Sequence, residues 1–302
     1  MHIHLPHSLH TSFLCDVVEP LLRKEQLQDH FFFLRYWQGG PHLRLRMLCG
    51  PGAGDAEAAE RVVVGLADAM PEFGAVAREE YEVGLTLQAE LARLEREVPK
   101  EGLPLGTLDR AAYEPEFRKY GGTEGVAIAE TVFRKSSVTV VDLLRAQSAR
   151  AGGAGRAPIG EAARIMVMFL HGAGIGPEAA TRFLLEYEEW WRQYAPDEAR
   201  RAWPELYRNV SAQITNLCTA VWRDGATDDV FHDMSAEATD RARAVCGAEP
   251  GGDAGDLRLD GTPYLGCLSN YVHTTNNRLG LLPAHEGLVA YLVRRGLEDS
   301  AG

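Results

Sequence analysis

His42-Leu43-Arg44-Leu45-Arg46-Met47-Leu48 alternates polar and apolar side chains, the period of a strand with one face turned to a core. Leu43, Leu45 and Met47 are then expected to be buried, with His42, Arg44 and Arg46 together on the other face. Just upstream, Gly39-Gly40-Pro41 reads as a turn, and the aromatic run Phe31 to Tyr36 reads as a strand that places Arg35 beside the arginines. Further back, His2 to Leu5 is a short strand signal. Phe13 to Lys24 carries Leu14, Val17, Val18, Leu21 and Leu22 at helical spacing. Strand, helix and hairpin in that order give a β-α-β-β layer with a small mixed or antiparallel sheet.

Outward from this layer the pattern turns helical. Asp55 to Met70 reads as a helix capped by Asp55 after the turn Pro51-Gly52-Ala53-Gly54, and Thr86 to Val98 as a second amphipathic helix. Pro99 to Tyr120 is less regular and is expected to be extended. The helices expected thereafter are Gly125–Arg150, Ile159–Gly172, Pro177–Tyr194, Glu198–Asp224, Ala236–Cys246, Gly266–Asn277 and Pro283–Gly296. Ala151 to Gly155 reads as a small loop and Glu249 to Gly255 as a flexible connection. The fold class is α+β. The chain reads as a single domain, 1–302, with a sheet-containing part (1–122) and a mainly helical part (123–302).

The 302 residues are 45% hydrophobic and 25% charged, enough to bury a core without disulfides or metals. The five cysteines are scattered and never spaced Cys-x-x-Cys, so buried thiols are the better reading. The net charge of −12 argues against a large nucleic-acid surface. No apolar run is long enough to span a bilayer, and the N-terminus lacks a signal-peptide pattern, so a cytoplasmic location is expected. His2, His4, His7 and His10 lack the companions of a metal site, and no cofactor is expected.

Three stretches carry candidate chemistry. Arg44 and Arg46 project at i and i+2, and guanidinium forks suit carboxylates, although a solvated strand face has the same pattern. Tyr113-Glu114-Pro115-Glu116-Phe117-Arg118-Lys119-Tyr120-Gly121-Gly122 sets a glycine pair before a helix start, as a tight turn or an anion cradle. Ser269 to Gly280 is unusually polar for a helix. His273, Asn276 and Asn277 fall on one side of it, and its histidine reads as a proton-transfer group or a satisfied structural residue. His171-Gly172-Ala173-Gly174 follows a helix and reads as its end, with Pro177 starting the next.

Together and in this order the three stretches resemble the C-terminal domain of lantibiotic dehydratases, also known as the thiopeptide-type bacteriocin biosynthesis domain. Phe32-Phe33-Leu34-Arg35-Tyr36 with Pro41-His42-Leu43-Arg44-Leu45-Arg46, then Tyr113 to Gly122, then His273-x-x-Asn276-Asn277-Arg278-Leu279 carry the resemblance, over about residues 1–298. It implies elimination of glutamate from glutamylated Ser or Thr of a precursor peptide, giving dehydroamino acids. It also implies a separate glutamyl-tRNA-dependent transferase as partner, no direct nucleic-acid or membrane contact, and leaves a homodimer open. By resemblance Arg44, Arg46 and His273 are catalytic, while Arg35, His42, Lys119, Tyr120, Asn277 and Arg278 are expected to bind substrate. Lys119 departs from the arginine that many relatives carry before Tyr-Gly-Gly. Standalone relatives also include thiopeptide pyridine synthases, which perform a formal [4+2] cycloaddition of two dehydroalanines with loss of the leader. A non-catalytic peptide-binding subunit is the third reading.

Overall fold

The computed structural model describes residues 1–50, 54–74, 78–151 and 158–300. The expected turn at 51–53 and most of the loop at 151–155 lie outside them. The chain packs as two compact units, Met1–Glu114 with Arg134–Gly155, and Pro115–Phe133 with Arg156–Gly302. Among the described residues no helix is long and apolar enough to cross a membrane.

The first unit holds, in chain order, β1 (His2–His4), α1 (His7–Phe13), a π-helical turn (Leu14–Val18), α2 (Glu19–Lys24), β2 (Phe31–Tyr36), β3 (His42–Met47), α3 (Ala56–Gly74), α4 (Arg78–Glu95) and β4 (Leu108–Asp109). The sheet order is β2-β3-β1-β4 and every pairing is antiparallel. The β-α-β-β reading therefore holds, with β4 added from within the segment expected to be extended. Asp55 caps α3 by accepting from the Glu57 N–H at 3.1 Å.

Cross-strand partners share a face. Ile3, Leu43, Leu45, Phe31 and Phe33 lie on one face and are buried. Arg35 pairs with Leu43, so it belongs to that apolar face and not to the face of Arg44 and Arg46. The second face bears His2, His4, His42, Arg44, Arg46, Phe32, Leu34 and Tyr36. It is not an open, solvated face, because α4 closes part of it. The Tyr81 hydroxyl donates to the Leu103 carbonyl at 2.8 Å and meets His4 Nδ1 at 3.0 Å. Gln88 accepts from the Gly39 N–H in the turn and donates to the Lys100 carbonyl.

The second unit continues with α5 (Phe117–Tyr120) and α6 (Gly122–Ala151), whose residues from Arg134 onward belong to the first unit. There follow α7 (Ile159–Gly172), α8 (Pro177–Trp191), a 3-10 turn (Arg192–Tyr194), α9 (Asp197–Trp222), α10 (Val230–Cys246), a second 3-10 turn (Ala254–Asp256), the hairpin β5 (Arg258–Leu259) and β6 (Thr262–Pro263), α11 (Tyr264–Leu279) and α12 (Pro283–Ser300). The segment expected to be a flexible connection is instead tied down, since Arg243 donates to the Gly252 carbonyl at 2.9 Å and Ala254 is fully buried. As read from the sequence, α7 ends at Gly172 and Pro177 opens α8.

Helix α7 is buried without a break from Ile165 to Leu170 and contacts α9, α10, α11 and α12. Helix α12 packs on α8 and α9. Gly287 allows the first approach: a Cβ there would lie 3.2 Å from the Arg192 backbone nitrogen and 3.4 Å from the Trp191 carbonyl carbon. Of the cysteines, Cys15, Cys218 and Cys267 are buried as expected, but Cys49 is exposed.

Candidate active site

In the second unit, α11 presents His273 two turns after its start. His273 Nδ1 lies 2.9 Å from Oε1 of Glu286, which is completely buried in the first turn of α12. A carboxylate there benefits from the helix N-terminal dipole. Its other oxygen, Oε2, accepts from the Tyr187 hydroxyl of α8 at 2.7 Å and from Asn276 Nδ2 of α11 at 3.0 Å. Three helices thus converge on one carboxylate. The indole of Trp191, one turn after Tyr187, stacks on the His273 ring with centroids 4.4 Å apart and planes 27° apart.

Because a carboxylate only accepts, the Glu286 contact places the His273 proton on Nδ1 and leaves the Nε2 lone pair available. Among the described residues Nε2 has no hydrogen-bond partner, and the side chain keeps 25% of its exposure. Burial, then the Glu286 charge, pushes the Tyr187 hydroxyl well above its usual value, so it remains a donor. An oriented imidazole with one bare nitrogen is the equipment of a general base, and after protonation of a general acid.

The other expected residues of this unit do not converge on Glu286. Asn277 is half-buried in the last turn of α11, and its carbonyl accepts from the Gly280 N–H. Tyr120 is buried between Phe133 and Tyr271, with which it stacks at 4°. Arg278 is fully buried, its guanidinium 4.9 Å from the Phe133 centroid, and burial lowers its pKa to about 9. Both were expected at substrate, and both lie in the aromatic cluster beneath α11. Lys119 is partly exposed, 3.5 Å from Glu116.

In the first unit the arginine strand is organised by histidines. His42 is 1% exposed, with Nδ1 donating to the Gly40 carbonyl at 2.8 Å, so Nε2 accepts from Arg44 Nε at 3.3 Å. His42, expected to bind substrate, is buried and accepts from Arg44. The rings of His2 and His4 pack on His42 with centroids 4.7 and 4.8 Å apart. Burial above all, and for His2 the charges of Arg44 and Arg46, lower these histidines to about 3 for His2, 4 for His4 and 2 for His42. They are neutral.

The Arg44 guanidinium carbon sits 3.3 Å above the Tyr36 ring centroid, fixed by cation–π contact. Arg46 lies 5.7 Å from the Tyr113 ring, and among the described residues its buried Nη1 has no hydrogen-bond partner. A buried guanidinium nitrogen without an acceptor is costly and suits an incoming anion. Arg35, on the apolar face, donates to Thr11 Oγ1 at 3.1 Å, and burial lowers its pKa to about 10. No group of three or more His, Cys, Asp or Glu side chains among the described residues is arranged to hold a metal ion.

Glu286, Tyr187 and Trp191 were missed in the sequence. The available signals were slight: an acid in the first turn after Pro283, and two aromatics at i and i+4. The pair Trp190-Trp191 separates, since Trp190 is 64% exposed while Trp191 covers the histidine.

Comparison with known proteins agrees with the resemblance. The profile of the lantibiotic biosynthesis dehydratase C-terminal family matches residues 1–297. No curated protein sequence matches the chain. Among solved structures, the pyridine synthase TbtD from thiomuracin biosynthesis is similar in fold, with a TM-score of 0.73 at 21% identity over 99% of this chain and 96% of that one. TsrL is similar with a TM-score of 0.61 at 20% identity, covering 99% and 94%. The chain belongs to the lantibiotic biosynthesis dehydratase C-terminal family, and with it to the biosynthesis of ribosomally made, post-translationally modified peptides.

Proposed function

We propose that this chain is a lyase that eliminates glutamate from glutamylated Ser or Thr residues of a precursor peptide supplied by a separate glutamyl transferase. The observation that carries the reading is the 2.9 Å contact between His273 Nδ1 and the buried Glu286, which leaves Nε2 free for proton transfer. In the reaction Nε2 takes the Cα proton, the electron pair forms the Cα=Cβ bond, and the Cβ–O bond breaks to release glutamate through the α-carboxylate that formed the ester. Arg44 and Arg46 fit the task of binding carboxylate, with the unpartnered Arg46 Nη1 as the donor that gains most.

The test is release of free glutamate from a glutamylated peptide by the purified chain. His273→Ala is expected to lower kcat by about 10²–10⁴-fold. Arg46→Ala is expected to raise KM or abolish release, and Arg46→Lys to recover only part, because lysine lacks the planar fork. Full-rate release from both His273→Ala and Arg46→Ala would sink the residue assignment. A second reading, a pyridine-forming cyclase, is supported by the full-length fold likeness to TbtD. It requires conversion of a bis-dehydroalanine, azole-bearing peptide with loss of a leader fragment, read by mass spectrometry.

A further inference from the structure

We infer that Tyr187 is a positioning residue for His273, acting through Glu286: by holding Oε2 it turns Oε1 onto Nδ1 and tempers the charge that the imidazole feels. The inference rests on reading His273 as the proton-transfer group. The geometry separates the two carboxylate oxygens by task. Oε2 takes both donors that have no part in proton transfer, Tyr187 and Asn276, whereas Oε1 takes His273.

Tyr187 and Trp191 are four residues apart on α8, so one helix face grips the carboxylate with one side chain and the imidazole with the other. His273 and Asn276, three apart on α11, do the same from the other side. The carboxylate is fully buried, so these three donors take the place of its water shell. Titratable groups reach the pair from α12 (Glu286), from α8 (Tyr187) and, behind Trp191, from the 3-10 turn (Tyr194).

Removing the two ends of this chain has opposite consequences. Without the Tyr187 hydroxyl, more of the Glu286 charge bears on Nδ1, the imidazolium is favoured, and the His273 titration midpoint moves up. Without the charge itself, in Glu286→Gln, the midpoint moves down. A tyrosine that merely filled space would leave the midpoint unmoved in Tyr187→Phe, while Glu286→Gln would still lower it.

The experiment is histidine side-chain 15N NMR on the full chain, with His273→Ala assigning the signal. The unmodified protein at neutral pH is expected to show His273 protonated at Nδ1 and bare at Nε2. A dominant Nε2–H form overturns the inference without any variant. Tyr187→Phe is expected to raise the midpoint and Glu286→Gln to lower it. The Tyr187→Phe variant is also expected to lower kcat for glutamate release about 10-fold while KM changes less than twofold. An unshifted midpoint with unchanged kcat overturns the inference.

Should Tyr187→Phe fail to fold, Asn276→Ala removes the other donor to the same oxygen and is expected to move the midpoint the same way. Correct NMR behaviour in a chain that releases no glutamate would keep this arrangement and discard the elimination reading. Normal release with a dominant Nε2–H form would do the reverse.

Discussion

Replacing Glu286 with alanine tests the site through stability alone. Glu286→Ala leaves two buried donors, the Tyr187 hydroxyl and Asn276 Nδ2, without their acceptor, and also strips the partner of His273 Nδ1. Each stranded buried donor costs about 1–3 kcal/mol. The volume lost adds a cavity cost, and relief of the buried charge subtracts from both. The expected net loss is about 3–5 kcal/mol, the range seen when one partner of a buried charged cluster is removed. Glu286→Gln keeps the shape and one acceptor oxygen and is expected to cost only about 1–2 kcal/mol. Four of the five tryptophans (Trp190, Trp191, Trp203 and Trp222) lie in the second unit, so urea unfolding followed by intrinsic fluorescence reports mainly on it. Unchanged m-values would show that the native fold was compared with the same unfolded chain. If Glu286→Ala lost under 1 kcal/mol, or Glu286→Gln lost as much as the alanine variant, the hydrogen-bonded carboxylate would not be the organising group.

The two glycines after Tyr120 should respond unequally to alanine, although both have positive φ, 79° and 76°. At Gly121 a Cβ would lie 2.4 Å from the Leu259 carbonyl oxygen, which cannot swing away, so the αL cost and the displacement of β5 together reach about 2–4 kcal/mol. At Gly122 the nearest atom is an Asp260 carboxylate oxygen at 3.0 Å, a movable side chain, and the loss should stay near the αL cost of about 1–2 kcal/mol; thermal unfolding giving the reverse order would contradict this packing. In the first unit, His2, His4 and His42 titrate lower folded than unfolded, at about 3, 4 and 2. The unfolded chain therefore binds more protons below pH 6.5, and the stability present above that pH drains away as pH falls toward 4 and below, by up to about 1.4 kcal/mol per pH unit for each histidine. Urea unfolding at pH 7 and pH 5, followed by NMR at backbone amides of β1 to β3, should show this loss, and His42→Gln should make it shallower.

The parts of the fold that were legible in the sequence are those fixed by local period. Alternation over His42 to Leu48 identified β3, and helical spacing placed α7 at its observed ends. Strand β4 was not legible because two residues, Leu108 and Asp109, carry no period; they are extended only because β1 offers them an edge. The face of His42 looked open because nothing local announces that Tyr81, nearly forty residues on, bonds to His4 beneath α4. Arg35 shows a finer limit. Its strand was evident, but its face depends on register, and the pairing of Tyr36 with His42 across the turn places Arg35 opposite Leu43. In the site, His273 was legible as a polar group on a helix. Glu286 and Tyr187 were not, because their roles come from three helices packing together.

The energetics of that packing bear on function. A buried carboxylate satisfied by hydrogen bonds is weak evidence for stability, since apolar residues of similar volume often serve a core as well or better. The buried aromatics Tyr187 and Trp191 pack against each other beside the pair, and Leu288 and Val289, which follow Glu286 on α12, are buried. A leucine at 286 would suit such surroundings and would not require Tyr187 and Asn276 to supply matched donors. What leucine could not do is hold a partly exposed imidazole with its proton on Nδ1. The same reasoning applies in the first unit to Arg46, whose buried Nη1 has no hydrogen-bond partner among the described residues. Departures from the cheapest core are expected at functional sites. Here they fall on Glu286, which orients the imidazole proposed as the base, and on Arg46, proposed to bind carboxylate.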